Sequence, residues 1–131
     1  MRSVILLAAI LFSASACSDT PASPTLPASF TLAPGASASA ESARVTFVRV
    51  ESDTRCPIDA FCISEGDATI TVRVSGNGLD GEYVLALHDP SRRSVTHRGY
   101  RITFVQLEPP QHTKTPPRPE DYRATVEIAR S

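Results

Sequence analysis

Two of the three cysteines, Cys56 and Cys62, stand with five residues between them in Asp53-Thr54-Arg55-Cys56-Pro57-Ile58-Asp59-Ala60-Phe61-Cys62-Ile63-Ser64-Glu65-Gly66. The pair admits a disulfide, or two thiolates available for metal or redox work. The spacing fits neither Cys-x-x-Cys redox motifs nor the usual zinc pairings, which favours the disulfide. Such a bridge closes a ring of seven residues, for which chain entropy gives about 2.4 kcal/mol. That is low for a disulfide, so its expected role is to hold a loop shape rather than staple the whole fold. Pro57 fixes φ after the first sulfur, and Gly66 offers a left-handed conformation for the return. Asp53 and Arg55 flank the ring and Asp59 and Phe61 lie inside it; together they form the candidate contact loop. Asp53 and Arg55 are expected to order the loop by a salt bridge or backbone hydrogen bonds, with ligand recognition as the alternative. Phe61 is expected to plug into the core, whereas an exposed Phe61 would mark a contact surface.

Other chemistry is sparse. His88-Asp89-Pro90-Ser91 with His97 supplies nucleophile, base and orienter types, but around a single turn and without a Gly-x-Ser-x-Gly elbow, so no catalytic residue is assigned. His88, His97 and His112 are irregularly spaced with no acidic cluster; they are expected at the surface, with no metal site and no cofactor. Lys plus Arg is 13 against 14 for Asp plus Glu, which leaves no footprint for nucleic acid. Three Tyr and no Trp argue against glycan binding.

The elements that must position the loop read as strands. Arg44 to Val50 is dominated by β-branched and aromatic residues and enters the cysteine loop. Ala68, Ile70, Val72 and Val74 alternate strictly with polar neighbours, placing four apolar side chains on one face of a strand over 67–75. Asn77-Gly78 is a hairpin signal, and Tyr83, Leu85 and Leu87 resume the alternation, which predicts an antiparallel pair of 67–75 with 82–88 and a loop longer than two residues. Ser29 to Ala33 and Val95 to His97 are weaker strands. Tyr100 to Glu108 switches face, as a bulge near Phe104 would require. Pro109 to Pro119 holds five prolines and reads as a stiff polyproline-II-like spacer. The last strand, Tyr122 to Ala129, turns Tyr122, Ala124, Val126 and Ile128 inward, and Tyr122-Arg123-Ala124 resembles a tyrosine corner. About seven strands at this spacing predict an all-β fold: a small antiparallel β-sandwich of immunoglobulin-like size over residues 29–131.

The first residues read as a targeting device. Arg2, the apolar run Val4 to Phe12 and the small-residue region Ser13 to Cys17 form a signal peptide over 1–16, and nine apolar residues are too few for the roughly 20 a spanning helix needs. The segment resembles a bacterial lipoprotein signal with Cys17 as the acylated first residue of the processed chain, although Ala14 stands where the family has Leu; Ala14-Ser15-Ala16 also fits an ordinary signal peptidase site, and a free Cys17 or an intermolecular disulfide is the alternative. Three cysteines leave one over in an exported protein, and a lipid on Cys17 resolves that while Cys56 pairs with Cys62. Residues 17–28 then serve as anchor and flexible linker, rich in proline and poor in bulky apolar groups. In the lipoprotein pattern an Asp directly after the cysteine favours the inner membrane; here Ser18 holds that position and Asp19 the next, so the resemblance implies the outer membrane, facing the periplasm, if the source is a diderm bacterium.

The pattern Asp53-x-Arg55-Cys56-Pro57-x4-Cys62-x3-Gly66 resembles small exported bacterial lipoproteins of uncharacterised function, whose loops carry a Trp where this chain has Ser64. The resemblance implies export, a lipid anchor and a β-rich domain, and no activity. The expectation is a non-enzymatic protein anchored to the membrane through Cys17, with a crosslinked loop that is structural or contacts an envelope protein or small ligand. A metal-binding exported module and an enzyme with an unrecognised site are the alternatives.

Overall fold

Strict alternation decides the middle of the fold: Ala68, Ile70, Val72 and Val74 are fully buried along one strand, β4 (Ala68–Gly76). The structure is a computed structural model that describes residues 24–76 and 78–131. The expected signal segment and Cys17 lie outside the described residues, as does Asn77. On one side β4 pairs antiparallel with β3 (Ala43–Asp53), and on the other with β5 (Leu79–Ala86). A short β2 (Ser37–Ala40) completes this sheet, in the order β2-β3-β4-β5. The second sheet, of order β1-β8-β7-β6, holds β1 (Ala28–Leu32), β6 (Ser94–His97), β7 (Tyr100–Glu108) and β8 (Arg123–Arg130). Two antiparallel four-stranded sheets make the all-β sandwich expected from the periodicity. Phe47 and Phe104 are its largest fully buried side chains, joined by Ile70, Ile102 and Ile128.

The eight strands among the described residues include one with no propensity signal. Ser37-Ala38-Ser39-Ala40 lacks β-branched residues, yet Ala40 pairs with Ala43 across a turn in which Glu41 takes φ 54°. A tight turn of this hand feeds the right-handed twist of the strands and substitutes for propensity. The β4–β5 ladder closes at Gly76 and Leu79, so the connection is tighter than the longer loop expected. Gly78 supplies the positive φ, 87°, that such a turn demands. The predicted bulge is present, between Phe104 and Gln106 on β7.

Two opposite poles result. Ala28 lies beside Ile128, and Tyr100 beside Arg130, at one pole. Leu107 beside Ala124 leads to the other, where β3 delivers Asp53 into the cysteine loop. At roughly 3.3 Å per residue the eight residues of β8 separate the poles by about 25 Å. The chain preceding β1 therefore arrives at the pole away from the loop, with Leu26 packed against the core.

Candidate functional site

The cysteine loop is a continuation of the β3–β4 hairpin. Thr54 N–H donates to the Asp67 carbonyl at 2.7 Å and Cys56 N–H to that of Glu65 at 2.8 Å, so the ladder runs up to the disulfide itself. Cys56 and Cys62 are bonded, with Cα atoms 5.9 Å apart. Gly66 closes the neck at φ 67°, and a Cβ there would lie 1.8 Å from the Thr54 carbonyl oxygen. Only glycine satisfies both conditions. Asp67 accepts the amides of Ala68, Leu87 and His88 at 2.7, 3.0 and 2.9 Å, tying the neck to the end of β5.

Under the loop lies a polar cluster whose bonding capacity is spent internally. Arg55 donates from Nε to Oδ1 and from Nη2 to Oδ2 of Asp53, both at 2.7 Å. It also donates to the carbonyls of Leu107 at 2.7 Å and Pro109 at 2.8 Å. The Tyr122 hydroxyl donates to Asp53 Oδ2 at 2.9 Å. Burial opposes ionisation of Asp53, but the hydrogen bonds from Arg55 and Tyr122 outweigh it and hold the carboxyl below its usual range. Burial and the bond to Asp53 push the Tyr122 hydroxyl up to about 12. The tyrosine reaches across to the loop rather than to a corner in its own connection. Among the described residues no buried side-chain nitrogen or oxygen lacks a partner.

Above this base the seven-residue ring has no interior to fill. Phe61 is fully exposed, at 109%, which corrects the expectation of a core plug. Arg55, Tyr122 and the Leu107 carbonyl are bound to one another or to Asp53 at the base of the loop, and the ring's Phe61 lies outside the core. Ile58 at 65% and Ile63 at 110% exposure stand with it. Asp59 instead faces the proline-rich connection, accepting from Thr113 N–H at 3.0 Å and from its hydroxyl at 2.7 Å. Those bonds hold the Asp59 carboxyl below its usual range. Ile58 N–H donates to the Gln111 carbonyl at 3.0 Å, and the Gln111 side-chain amide to the Asp53 carbonyl at 3.1 Å. The connection expected as a spacer is therefore a brace for the loop.

The four named contact residues thus divide: Asp53 and Arg55 face inward, Asp59 sideways and Phe61 outward. Ile58, Ile63, Gln111, Thr113 and Asp67 were not singled out from sequence. Ile58 lies in the ring and Ile63 directly after it, and their exposure, like that of Phe61, had no local signal. The Gln111 and Thr113 contacts are long-range and had no local signal.

The histidines do not converge. His88 Nδ1 donates to the Gly66 carbonyl at 2.8 Å. His97 is buried, contrary to its expected surface position, and shares a 2.6 Å hydrogen bond with the Tyr83 hydroxyl between the sheets. Asp89 accepts from Ser91 N–H at 3.0 Å and from its hydroxyl at 2.7 Å, which makes the Asp89-Ser91 pair a self-closed turn. Among the described residues no group of three His, Cys, Asp or Glu is placed to hold a metal ion, and no helix is long and apolar enough to cross a membrane. Compared with family models, curated proteins and solved structures, the chain matches none of them.

Proposed function

We propose that the protein is a non-enzymatic, lipid-anchored envelope domain that presents the tip of its crosslinked loop to an apolar cleft on another envelope protein or ligand. One observation carries this reading. Ile58, Phe61 and Ile63 are exposed at 65%, 109% and 110% on a loop otherwise fixed by a disulfide, an ion pair and the Asp59–Thr113 clasp. Burying a large apolar side chain stabilises by about 1.5–3 kcal/mol, a gain these three leave for a partner. A pre-shaped loop loses little further freedom on binding.

The poles support the same reading. The chain enters β1 at the pole opposite the tip, so with a lipid on Cys17 Phe61 is expected to face away from the bilayer and into the periplasm. The outer membrane is the site we propose in a diderm cell. Labelling cells with a clickable fatty acid tests the anchor: wild type incorporates label and Cys17→Ser does not. A photo-crosslinking amino acid in place of Phe61 tests the tip. It should give a discrete adduct that Ile58→Ser and Ile63→Ser abolish, whereas the same probe at Thr96, near the tether pole, gives none. Equal adducts from both positions would overturn the reading.

A further inference from the structure

Alongside the loop, β3 carries a stretch with a strand on one side only. β2 pairs with Ala43 through Thr46, and Phe47 makes the last rungs, accepting from Gly35 N–H at 2.6 Å and donating to the Ala36 carbonyl at 3.0 Å. At the other end the Gln111 side-chain amide occupies the Asp53 carbonyl, standing where the N–H of a neighbouring strand would be. Between those filled rungs, from Val48 to Ser52, β3 is laddered to β4, and no strand among the described residues lies on its other side. This edge lines a groove of about 610 Å³ whose other wall includes Pro34, Pro117, Pro119 and Tyr122.

An edge with no strand on this side, sharing a groove with proline and tyrosine rings, is complementary to an extended peptide: its outward backbone groups supply rungs and alternate side chains meet the rings. The charges nearby are already matched. Glu51 is held by Arg49 and the Thr71 hydroxyl, both at 2.6 Å, Asp53 by Arg55 at 2.7 Å, and Glu120 by Arg118 at 3.4 Å. An occupant therefore gains nothing from net charge.

We infer that this groove binds an uncharged, extended segment of a partner protein, which adds as a short strand beside Val48–Ser52. Five residues at about 3.3 Å each set a segment of roughly 16 Å. Bulges at Phe47/Arg49 and Val50/Ser52 bend the edge. With exposed Arg49 and Glu51 they discourage long regular pairing between copies of this chain and leave room for a brief match. The groove is distinct from the apolar tip, and either site stands if the other fails.

The test uses the exported chain carrying Cys17→Ser and, as probe, a capped Val-Thr-Val-Thr-Val peptide. In NMR titrations the backbone amides of Val48–Ser52 shift and hydrogen exchange slows at those that do not bond β4, with a Kd on the order of 100 μM. The same peptide N-methylated at alternate residues keeps its side chains but loses backbone donors, and binds at least about tenfold more weakly, a loss of about 1.4 kcal/mol. Binding is unchanged between low and high salt. Silence at about 1 mM peptide, equal binding of the methylated form, shifts confined to Ile58–Ile63, or concentration-dependent dimerisation through this edge would each overturn the inference.

Discussion

The base and the tip of the cysteine loop belong to one short stretch of chain and obey opposite rules. At the base, the side chains of Asp53 and Arg55 are 4% and 12% exposed, and no buried side-chain nitrogen or oxygen of the described residues there lacks a partner. At the tip, Phe61 and Ile63 are fully exposed and Ile58 largely so. A loop that existed only to close a hairpin would need neither feature. The difference shows where the loop is held and where its surface is displayed: polar groups hidden below fix the shape, and apolar groups above are exposed on it. It also separates two kinds of experiment, because substitutions at the base should act on folding and those at the tip on contact.

The largest expected effect is at the base. Arg55→Leu removes the cation from a carboxylate that stays buried, and frees the carbonyls of Leu107 and Pro109. Breaking such a pair from one side costs about 3–5 kcal/mol. Thermal unfolding followed by circular dichroism should show Tm falling by more than about 10 °C. A fall of only a degree or two would mean that the base is as dispensable to folding as the tip. Next in size is the disulfide. Replacing both Cys56 and Cys62 by Ala should cost about 2 kcal/mol while the β-sheet spectrum persists, since Thr54, Cys56 and Asp59 keep their hydrogen bonds. Loss of the sheet signal would show that the bridge staples the whole domain.

Tyr122 tests the base by pH. Its hydroxyl ionises near 10 in an unfolded chain and at about 12 in the fold, so the stability it contributes is full below about pH 10 and is lost as pH rises through about 12. Asp53 works the other way. Its carboxyl is held below the unfolded value, so its contribution is full above about pH 4 and is lost as pH falls through the lower folded value. Tyr122→Phe should cost about 1 kcal/mol at neutral pH, and urea melts from pH 8 to 11 should show the gap to wild type narrowing at the alkaline end. A gap that widens with pH would mean that the hydroxyl does not serve Asp53.

How much of this was legible in the sequence follows the range of the interactions. The sandwich is written in local alternation, as in Ala68 to Val74 and Tyr122 to Ile128, because burial on one face of a strand repeats every second residue. The disulfide and the left-handed Gly66 are likewise short-range facts. β2 escaped because its formation rests on the turn at Glu41 rather than on its own residues. The Arg55 bond to Leu107 and the Gln111 bond to Asp53 span more than fifty residues, and no local pattern encodes them. Phe61 was misplaced for a different reason. Hydrophobicity says that a side chain gains by burial, but whether the fold offers it a place is settled by elements distant in sequence, such as those that bring Tyr122 and Leu107 to the base of the loop.

The smallest expected effect on folding is the most telling about the tip. Phe61 contacts no core residue, so Phe61→Ser removes no packing and opens no cavity; its stability change should stay within about 0.5 kcal/mol. The substitution takes apolar surface out of water in the free protein and should, if anything, raise solubility. Ile63→Ser should behave alike, and because Ile58 is only partly exposed, Ile58→Ser should cost slightly more. If Phe61→Ser instead destabilised the domain by more than about 2 kcal/mol, the side chain would have to be buried, and base and tip would form one packed unit. A neutral Tm combined with loss of the position-61 contact partner is the outcome that keeps them apart: only a residue selected for what lies outside the chain can be free to change inside it.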